Sequence, residues 1–279
     1  INGELVSADS RQVYKYLDIG TGKLPGSEVE VKKKDGFWMM DGIKIRLYDI
    51  VSPQTVFSLY EYTLKAKDAI KKISENRKLP ILVGGTGFYI RSLLEGLLDF
   101  GFAKDPVLRK ELAALSAEEI GSRIYQLNPE IFINLNNSEA KNAIRLIRIY
   151  EKLTSPKIEK NFIGLEKDFD VLKIGLKTDR KIIRERIKQR LIKRIEEGMI
   201  EESKKLLAEK ILTYDRMDEL GLEYRYIAKF FKGELKSQEE LVEILSLKIG
   251  QFAKRQETWF KKEKNVVWFD ILENDFKQK

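Results

Sequence analysis

The stretch Pro80-Ile81-Leu82-Val83, then Gly84-Gly85-Thr86-Gly87, then the apolar-periodic run 88–98 limits what this chain can fold into more than any other segment. A short run, a glycine-rich turn and apolar residues at helical spacing read as strand, turn and helix. In a parallel α/β sheet, such a turn sets backbone N–H groups and a helix N-terminus at the carboxyl edge, where ligands bind. Taken alone, a glycine turn after a strand is also an ordinary connection, so it names no ligand.

The rest of the chain extends this α/β pattern. Glu4-Leu5-Val6-Ser7-Ala8 reads as a short buried strand ending at Asp9-Ser10, followed by a glycine-marked loop at Gly20-Thr21-Gly22-Lys23. Residues 29–49 alternate basic and apolar side chains around Asp35-Gly36 and Asp41-Gly42, which suits hairpins. The period predicts a helix over 58–76 with Tyr62, Ala66, Ala69, Ile70 and Ile73 on one face. Residues 105–161 carry helical patterns and no convincing buried strand. Strand character returns at 171–175, a long helix over 179–209 is interrupted near Gly198, and a helix over 238–261 precedes a strand at 266–269. The expected architecture is an α/β core, residues 1–103 and 165–279, carrying a helical insertion at 104–164.

Composition decides which chemistry is open. The 279 residues include neither His nor Cys, which excludes the Ser-His-Asp triad, imidazole- or thiolate-bound metals and a thiol nucleophile. Asp9 closes a strand, a position from which a carboxylate can enter a sheet-edge cleft as a general base or metal ligand. A turn or N-cap residue occupies the same kind of position. Net charge is +8, and the basic residues are clustered: ten Lys or Arg against two acids between Lys173 and Arg194. There Ile183, Ile187, Leu191 and Ile195 recur every fourth residue, with Arg186, Arg190 and Arg194 on an adjoining stripe. Lys254, Arg255, Lys261, Lys262 and Lys264 flank Trp259 and Phe260, and Lys141, Arg145 and Arg148 form a third group. Several basic faces, one beside aromatics, suit a phosphate backbone with splayed bases. Each run alone also fits a solvated helix face. No leader and no apolar run long enough to span a bilayer is present, so a cytoplasmic protein without membrane contact is expected.

On these residues the chain resembles the bacterial tRNA dimethylallyltransferases, also called tRNA isopentenyltransferases. Asp9-Ser10-Arg11-Gln12-Val13-Tyr14 with Asp18-Ile19-Gly20-Thr21-Gly22-Lys23 is similar to their first signature. Leu82-Val83-Gly84-Gly85-Thr86-Gly87-Phe88-Tyr89-Ile90-Arg91 and Leu94-Glu95-Gly96 match the second. Asp105 to Arg109, the Arg145 segment ending at Glu151, Gly221 to Arg225, and Ala253-Lys254-Arg255-Gln256 with Thr258-Trp259-Phe260 follow in the family's order. The resemblance implies a P-loop-type α/β core with an all-helical insertion that grips the tRNA anticodon stem-loop. It implies transfer of a dimethylallyl group from dimethylallyl diphosphate to the exocyclic amino nitrogen of adenosine-37, with diphosphate released, Mg²⁺ as cofactor and a monomer as the working state.

By resemblance Asp9 is the base or the hydrogen-bond acceptor for that amino group, and Ser10, Arg11 and Gln12 help hold the extruded adenosine. Thr86, Arg109, Lys141, Asn142, Ala143, Ile144 and Arg145 are implied as tRNA contacts. So are Gly221, Tyr224, Arg225, Lys254, Arg255, Gln256, Thr258, Trp259 and Lys261; Arg186 and Arg190 are given generic phosphate contact. Two departures stand out. The family's glycine-rich P-loop ending in Gly-Lys-Thr does not occur, which implies an N-terminally truncated chain, inactive without that diphosphate site. Relatives commonly carry His before the position of Asp49, where this chain has Lys44-Ile45-Arg46-Leu47-Tyr48. Prenylation of free adenine nucleotides, a P-loop small-molecule kinase and a non-catalytic RNA-binding module are the competing readings.

Overall fold

In the computed structural model the described residues are 2–25, 28–97, 106–154 and 162–272. They fall into two compact units, Ile1–Glu95 with Leu165–Lys279, and Gly96–Gly164. The expected junction at 103/104 and the Asp105 end of its motif lie outside the described residues.

The first unit is built on β1 (Gly3–Ser7), β2 (Val31–Lys34), β3 (Phe37–Met40), β4 (Ile43–Arg46), α1 (Leu59–Glu75), β5 (Leu79–Val83) and α2 (Gly87–Glu95). The sheet order is β2-β3-β4-β1-β5, with β1 parallel to both β4 and β5 and the β2-β3-β4 segment antiparallel. The sheet is therefore mixed, and the basic-apolar alternation of 29–49 supplies its antiparallel half. Asp41 (φ 47°) and Gly42 (φ 78°) join β3 to β4 in a two-residue turn whose positive φ values match the twist of the flanking strands. β1 occupies the interior, with Val6 and the following Ala8 at 0 % exposure.

Helix α1 starts at a capping box, Ser58 Oγ accepting from Glu61 N while the Glu61 carboxylate accepts from Ser58 N. The expected face Tyr62, Ala66, Ala69, Ile70 and Ile73 is the buried one. Tyr62 reaches the sheet through its hydroxyl, which donates to Ser7 O at 3.1 Å, and its ring stacks on Tyr89 of α2 with centroids 3.7 Å apart.

The second unit comprises β6 (Gly96–Leu97), α3 (Pro106–Ala113), α4 (Ala117–Leu127), α5 (Pro129–Ile133), α6 (Asn137–Ala140), α7 (Ala143–Thr154) and β7 (Phe162–Ile163), with β6 and β7 antiparallel. Ile120, Ile124 and Leu146 form its core, with Phe132, Ile147 and Tyr150 packed around them. A fully buried Glu151 is clamped by Arg109 (Nη2 to Oε2, 2.8 Å) and Arg148 (3.3 Å). Burial raises the Glu151 carboxyl, but the two guanidinium groups prevail and hold it below the ordinary 4.5. Its folded value is thus the lower one, so the clamp stabilises the unit above pH about 4.5 and that contribution fades as pH falls further. Amide exchange in α4 and α7 is expected to accelerate as pH is lowered from 5 to 3, after correction for intrinsic rates, and this acceleration should vanish in Glu151→Gln.

The first unit resumes with a 3₁₀ turn (Leu165–Lys167), β8 (Lys173–Lys177), α8 (Arg180–Glu196), α9 (Met199–Ala208), α10 (Tyr214–Leu220), α11 (Leu222–Phe231), α12 (Gln238–Phe260) and β9 (Val266–Asp270). Gly198, at φ 99°, interrupts the long helical pattern at the expected place. Helices α10 and α11 have no counterpart in the sequence reading. Among the described residues β8 pairs only with β9, in parallel, and β5 only with β1. The open edges carry apolar side chains: Leu79 and Val83 on β5 are each 52 % exposed, Ile174 57 % and Leu176 61 % on β8. Among the described residues no helix is long and apolar enough to cross a membrane.

Candidate active site

The carboxyl ends of β1 and β5 are laced together by backbone. Ala8 N donates to Val83 O at 2.7 Å, and Thr86 N donates back to Ala8 O at 3.1 Å. Gly84 sits in this crossing so closely that a Cβ would overlap the Ala8 carbonyl. The glycine turn is thus a close approach of two backbones. Gly84→Ala is expected to destabilise the first unit by about 2 kcal/mol, read as a lowered urea midpoint, because no side chain can swing aside to make room.

On this frame the Asp9 loop is set in one orientation. Asp9 Oδ1 accepts from Arg11 N at 2.7 Å and Gln12 N at 3.3 Å, so the turn role is real. It uses a single oxygen; among the described residues Oδ2 has no partner. Ser10 N donates to Thr86 Oγ1 at 3.1 Å, and Arg11 Nη1 to Ser10 O at 3.3 Å. Gln12 accepts from Ser7 Oγ at 2.9 Å and donates to Thr21 O at 3.4 Å. The sequence neighbours Asp9 to Gln12 and the distant Thr86 therefore form one fixed cluster.

Helix α12 closes the other side. Gln256 Nε2 donates to Gly85 O at 2.8 Å, and the Trp259 indole lies on Gly87 where a Cβ would overlap it. Phe88 and Arg91 pack on that indole at 4.6 and 4.4 Å between centres. Trp259 Nε1 is buried with no hydrogen-bond partner among the described residues. Beside it runs a groove of about 590 Å³ bordered by Arg91, Lys254, Arg255, Thr258, Trp259 and Lys262. Four cations around one aromatic side chain, of which Arg91 is already paired with Glu263, have the chemistry that suits a phosphate backbone and a stacked base.

Three buried phenols surround Asp9. Burial, with the Asp9 charge adding to it, pushes Tyr48 up to about 12 and Tyr62 well above its ordinary value; burial raises Tyr89 too. These hydroxyls stay protonated and cannot serve as bases. Asp9 is the carboxylate the cluster presents.

Other expected residues lie elsewhere. Arg109 is bound bidentately to Glu151 inside the second unit, where Lys141 and Asn142 are exposed and Asn142 Oδ1 accepts from Arg145 N at 3.2 Å. Ala143 begins α7, Ile144 is 81 % exposed, and Arg145 pairs with Glu139 at 2.9 Å. Tyr224, implied as a tRNA contact, is 2 % exposed and its hydroxyl donates to Glu202 at 3.2 Å, so its place is in the core. Gly221 (φ 76°) separates α10 from α11, and Arg225 is paired with Asp218 at 2.8 Å. Lys261 is exposed, paired with Glu257 at 2.6 Å.

The sequence reading missed Glu202. Its carboxylate accepts from Asp18 N (2.9 Å), Ile19 N (2.8 Å) and Gly20 N (3.2 Å), tying the 18–22 loop to α9. Burial raises this carboxyl and the three amides only partly offset it. Nothing local marks an acid in the first turn of a helix as the anchor of a loop far away in sequence.

Among the described residues no three or more acidic side chains gather to hold a metal ion. A Mg²⁺ that travels with a diphosphate needs no such cluster, because one or two carboxylates beside the phosphate oxygens and water suffice. The chemistry these residues themselves supply is that of Asp9, the cations and the backbone amides.

The sequence profile described as IPP transferase matches residues 12–263. This chain belongs to the IPP transferase family. Within that family it is similar to the tRNA dimethylallyltransferase 2 of Treponema denticola, 38 % identical over 272 residues, which cover 96 % of this chain and 86 % of the relative. The tRNA dimethylallyltransferase of Alkaliphilus oremlandii is 36 % identical over 99 % of this chain and 85 % of its own. Among solved structures, the full-length tRNA isopentenylpyrophosphate transferase of Bacillus halodurans superposes with a TM-score of 0.67 at 31 % identity, covering 99 % of this chain and 84 % of that one. A eukaryotic dimethylallyltransferase acting on tRNA gives 0.74 at 22 % identity over 96 % of this chain and 67 % of that one, which speaks for a shared fold. The α/β transferase fold expected from the sequence is the fold of this IPP transferase.

Proposed function

We propose that this IPP transferase moves a dimethylallyl group from dimethylallyl diphosphate to the exocyclic amino nitrogen of adenosine-37 of tRNA. Relatives at 36 to 38 % identity over nearly the whole chain act on tRNA by name. The observation that carries the chemistry is Asp9: Oδ1 is fixed by two backbone amides, and Oδ2 is left open beside the glycine turn. In the transfer the amino nitrogen forms a bond to the allylic carbon, the carbon–oxygen bond to diphosphate breaks, and the departing amino proton passes to Asp9. An adenosine extruded from the anticodon loop reaches such a recessed carboxylate, and the basic groove beside Trp259 suits the adjoining backbone.

Residues 104–164 serve in this reading as the grip on the anticodon stem-loop, through exposed Lys141, Asn142 and Ile144. The protein works as a cytoplasmic monomer, with Mg²⁺ accompanying the diphosphate. The test uses the chain alone and joined to the part of the Treponema denticola relative that it leaves unmatched. Each is given labelled dimethylallyl diphosphate, Mg²⁺ and an anticodon stem-loop. Label in the stem-loop is the expected result. Label on free AMP instead would move the assignment to nucleotide prenylation. Salt-dependent RNA binding without transfer to either acceptor would leave an RNA-binding module.

A further inference from the structure

Helix α8 presents Arg186, Arg190 and Arg194 on one stripe, yet the three are not equivalent. Arg186 and Arg190 are exposed, whereas the Arg194 side chain is turned inward and only 16 % exposed. It lies against the loop that follows Gln12. At Gly22 (φ +67°) an added Cβ would overlap Arg194 Nη2, so the guanidinium fills a notch that exists because this residue is glycine. The preceding residue, Thr21, gives its carbonyl to Gln12, whose own backbone N–H is held by Asp9. The guanidinium is thus joined to the catalytic loop through two residues.

What it lacks is an acceptor. Its nearest acid is Glu223, at 3.8 Å, and among the described residues it makes no hydrogen bond. Burial and the neighbouring Arg190 both press against its charge, while burial raises the Glu223 carboxyl and weakens it as a counter-ion. A largely buried guanidinium with five donors and no acceptor is costly unless something else supplies oxygen atoms.

The geometry points to Arg194, seated in the Gly22 notch, as an oxyanion-binding residue of the active site that takes a phosphate group of a substrate. Planar guanidinium donors fit phosphate oxygens two at a time. Two substrates of the proposed reaction carry that group, the diphosphate of the prenyl donor and the RNA backbone. The inward position favours the diphosphate. This assignment rests on the prenyl-transfer reading for its ligands, but its test can be read separately.

The experiment measures binding of inorganic diphosphate, and of an anticodon stem-loop RNA over a range of salt, to the wild-type chain, Arg194→Met, Arg194→Lys, Gly22→Ala and the Gly22→Ala/Arg194→Met pair. Thermal unfolding of each variant checks that it folds. Arg194→Met is expected to weaken diphosphate binding at least tenfold with RNA affinity unchanged, and Arg194→Lys to recover part of that loss. Gly22→Ala, which evicts the guanidinium without removing its charge, should mimic Arg194→Met and add nothing to it in the pair. A loss confined to RNA, with the salt slope reduced by about one, would keep the oxyanion role and assign it to the backbone. Variants matching wild type toward both probes would overturn the proposal, and RNA alone decides if the wild type takes up no diphosphate. A wild type with no affinity for the stem-loop would instead count against the tRNA reading, while the diphosphate arm still judges Arg194.

Discussion

Asp9→Asn is expected to lower the single-turnover rate of dimethylallyl transfer about 10³-fold, while stem-loop affinity stays within about threefold of wild type. Asparagine keeps the Oδ1 acceptor for Arg11 and Gln12, so the loop and its link to Thr86 persist. The carboxylate that would take the amino proton is replaced by a carboxamide that cannot. Few groups near it can step in: the chain has no His, the three tyrosines that feel its charge are held protonated, and Glu223, the other carboxyl that feels it, is buried with its acidity weakened by that burial. The assay uses whichever version of the protein transfers label. A variant that still transfers at more than about a tenth of the wild-type rate would remove Asp9 from the proton-accepting role. A parallel loss of RNA affinity would make it a substrate-holding residue.

Glu202→Ala carries the second large effect, this time on stability. Three backbone amides and the Tyr224 hydroxyl lose their acceptor together. Tyr224 is only 2 % exposed, so its hydroxyl has little access to water as a substitute. The expected cost is about 3 kcal/mol, from orphaned donors and a charge-assisted cluster lost at once. That corresponds to a drop of roughly 6 to 12 °C in the melting temperature of the first unit. Glu202→Gln, which retains one carbonyl oxygen, should fall between. The loop it anchors carries Thr21 and Gly22, so transfer should decline in Glu202→Ala even below its melting point. Unchanged melting in Glu202→Ala would show the 18–22 loop to be held by its other ties, notably Lys23, which binds Asp18, Asp49 and Tyr14 O.

What the sequence revealed followed from local rules. Asp41-Gly42 announced a tight hairpin because both positions need positive φ, and the α1 face was readable because its period and its Ser58 cap agree. Gly84, Gly85 and Gly87 marked the site because none has room for a side chain, the first against the Ala8 backbone and the others against Gln256 and Trp259. The hidden parts depend on contacts across long sequence separation. Helices α10 and α11 are short, 7 and 10 residues, and joined at Gly221, so neither carries an apolar period long enough to stand out. Tyr224 and Arg109 occupy motif positions that suggest RNA contact, but packing gives one to Glu202 and the other to Glu151. Arg194 looked like one more member of a basic stripe; only its burial against Gly22 sets it apart.

The exposed rims of β5 and β8 give the positive charge of this protein a second duty. Among the described residues each rim lacks a strand on its outer side, and wherever no further strand of the protein covers it, a rim with free N–H and C=O groups and apolar side chains invites another chain to add itself. The exposed Lys177 at the end of β8, and the overall +8, oppose that by mutual repulsion between molecules, whereas Lys173 at the other end is spent on Glu166 at 2.7 Å. Salt strong enough to strip RNA from the protein also screens this repulsion, since both act over the same Debye length. The ionic conditions that free the protein of its polyanion are therefore those under which it most readily associates with itself.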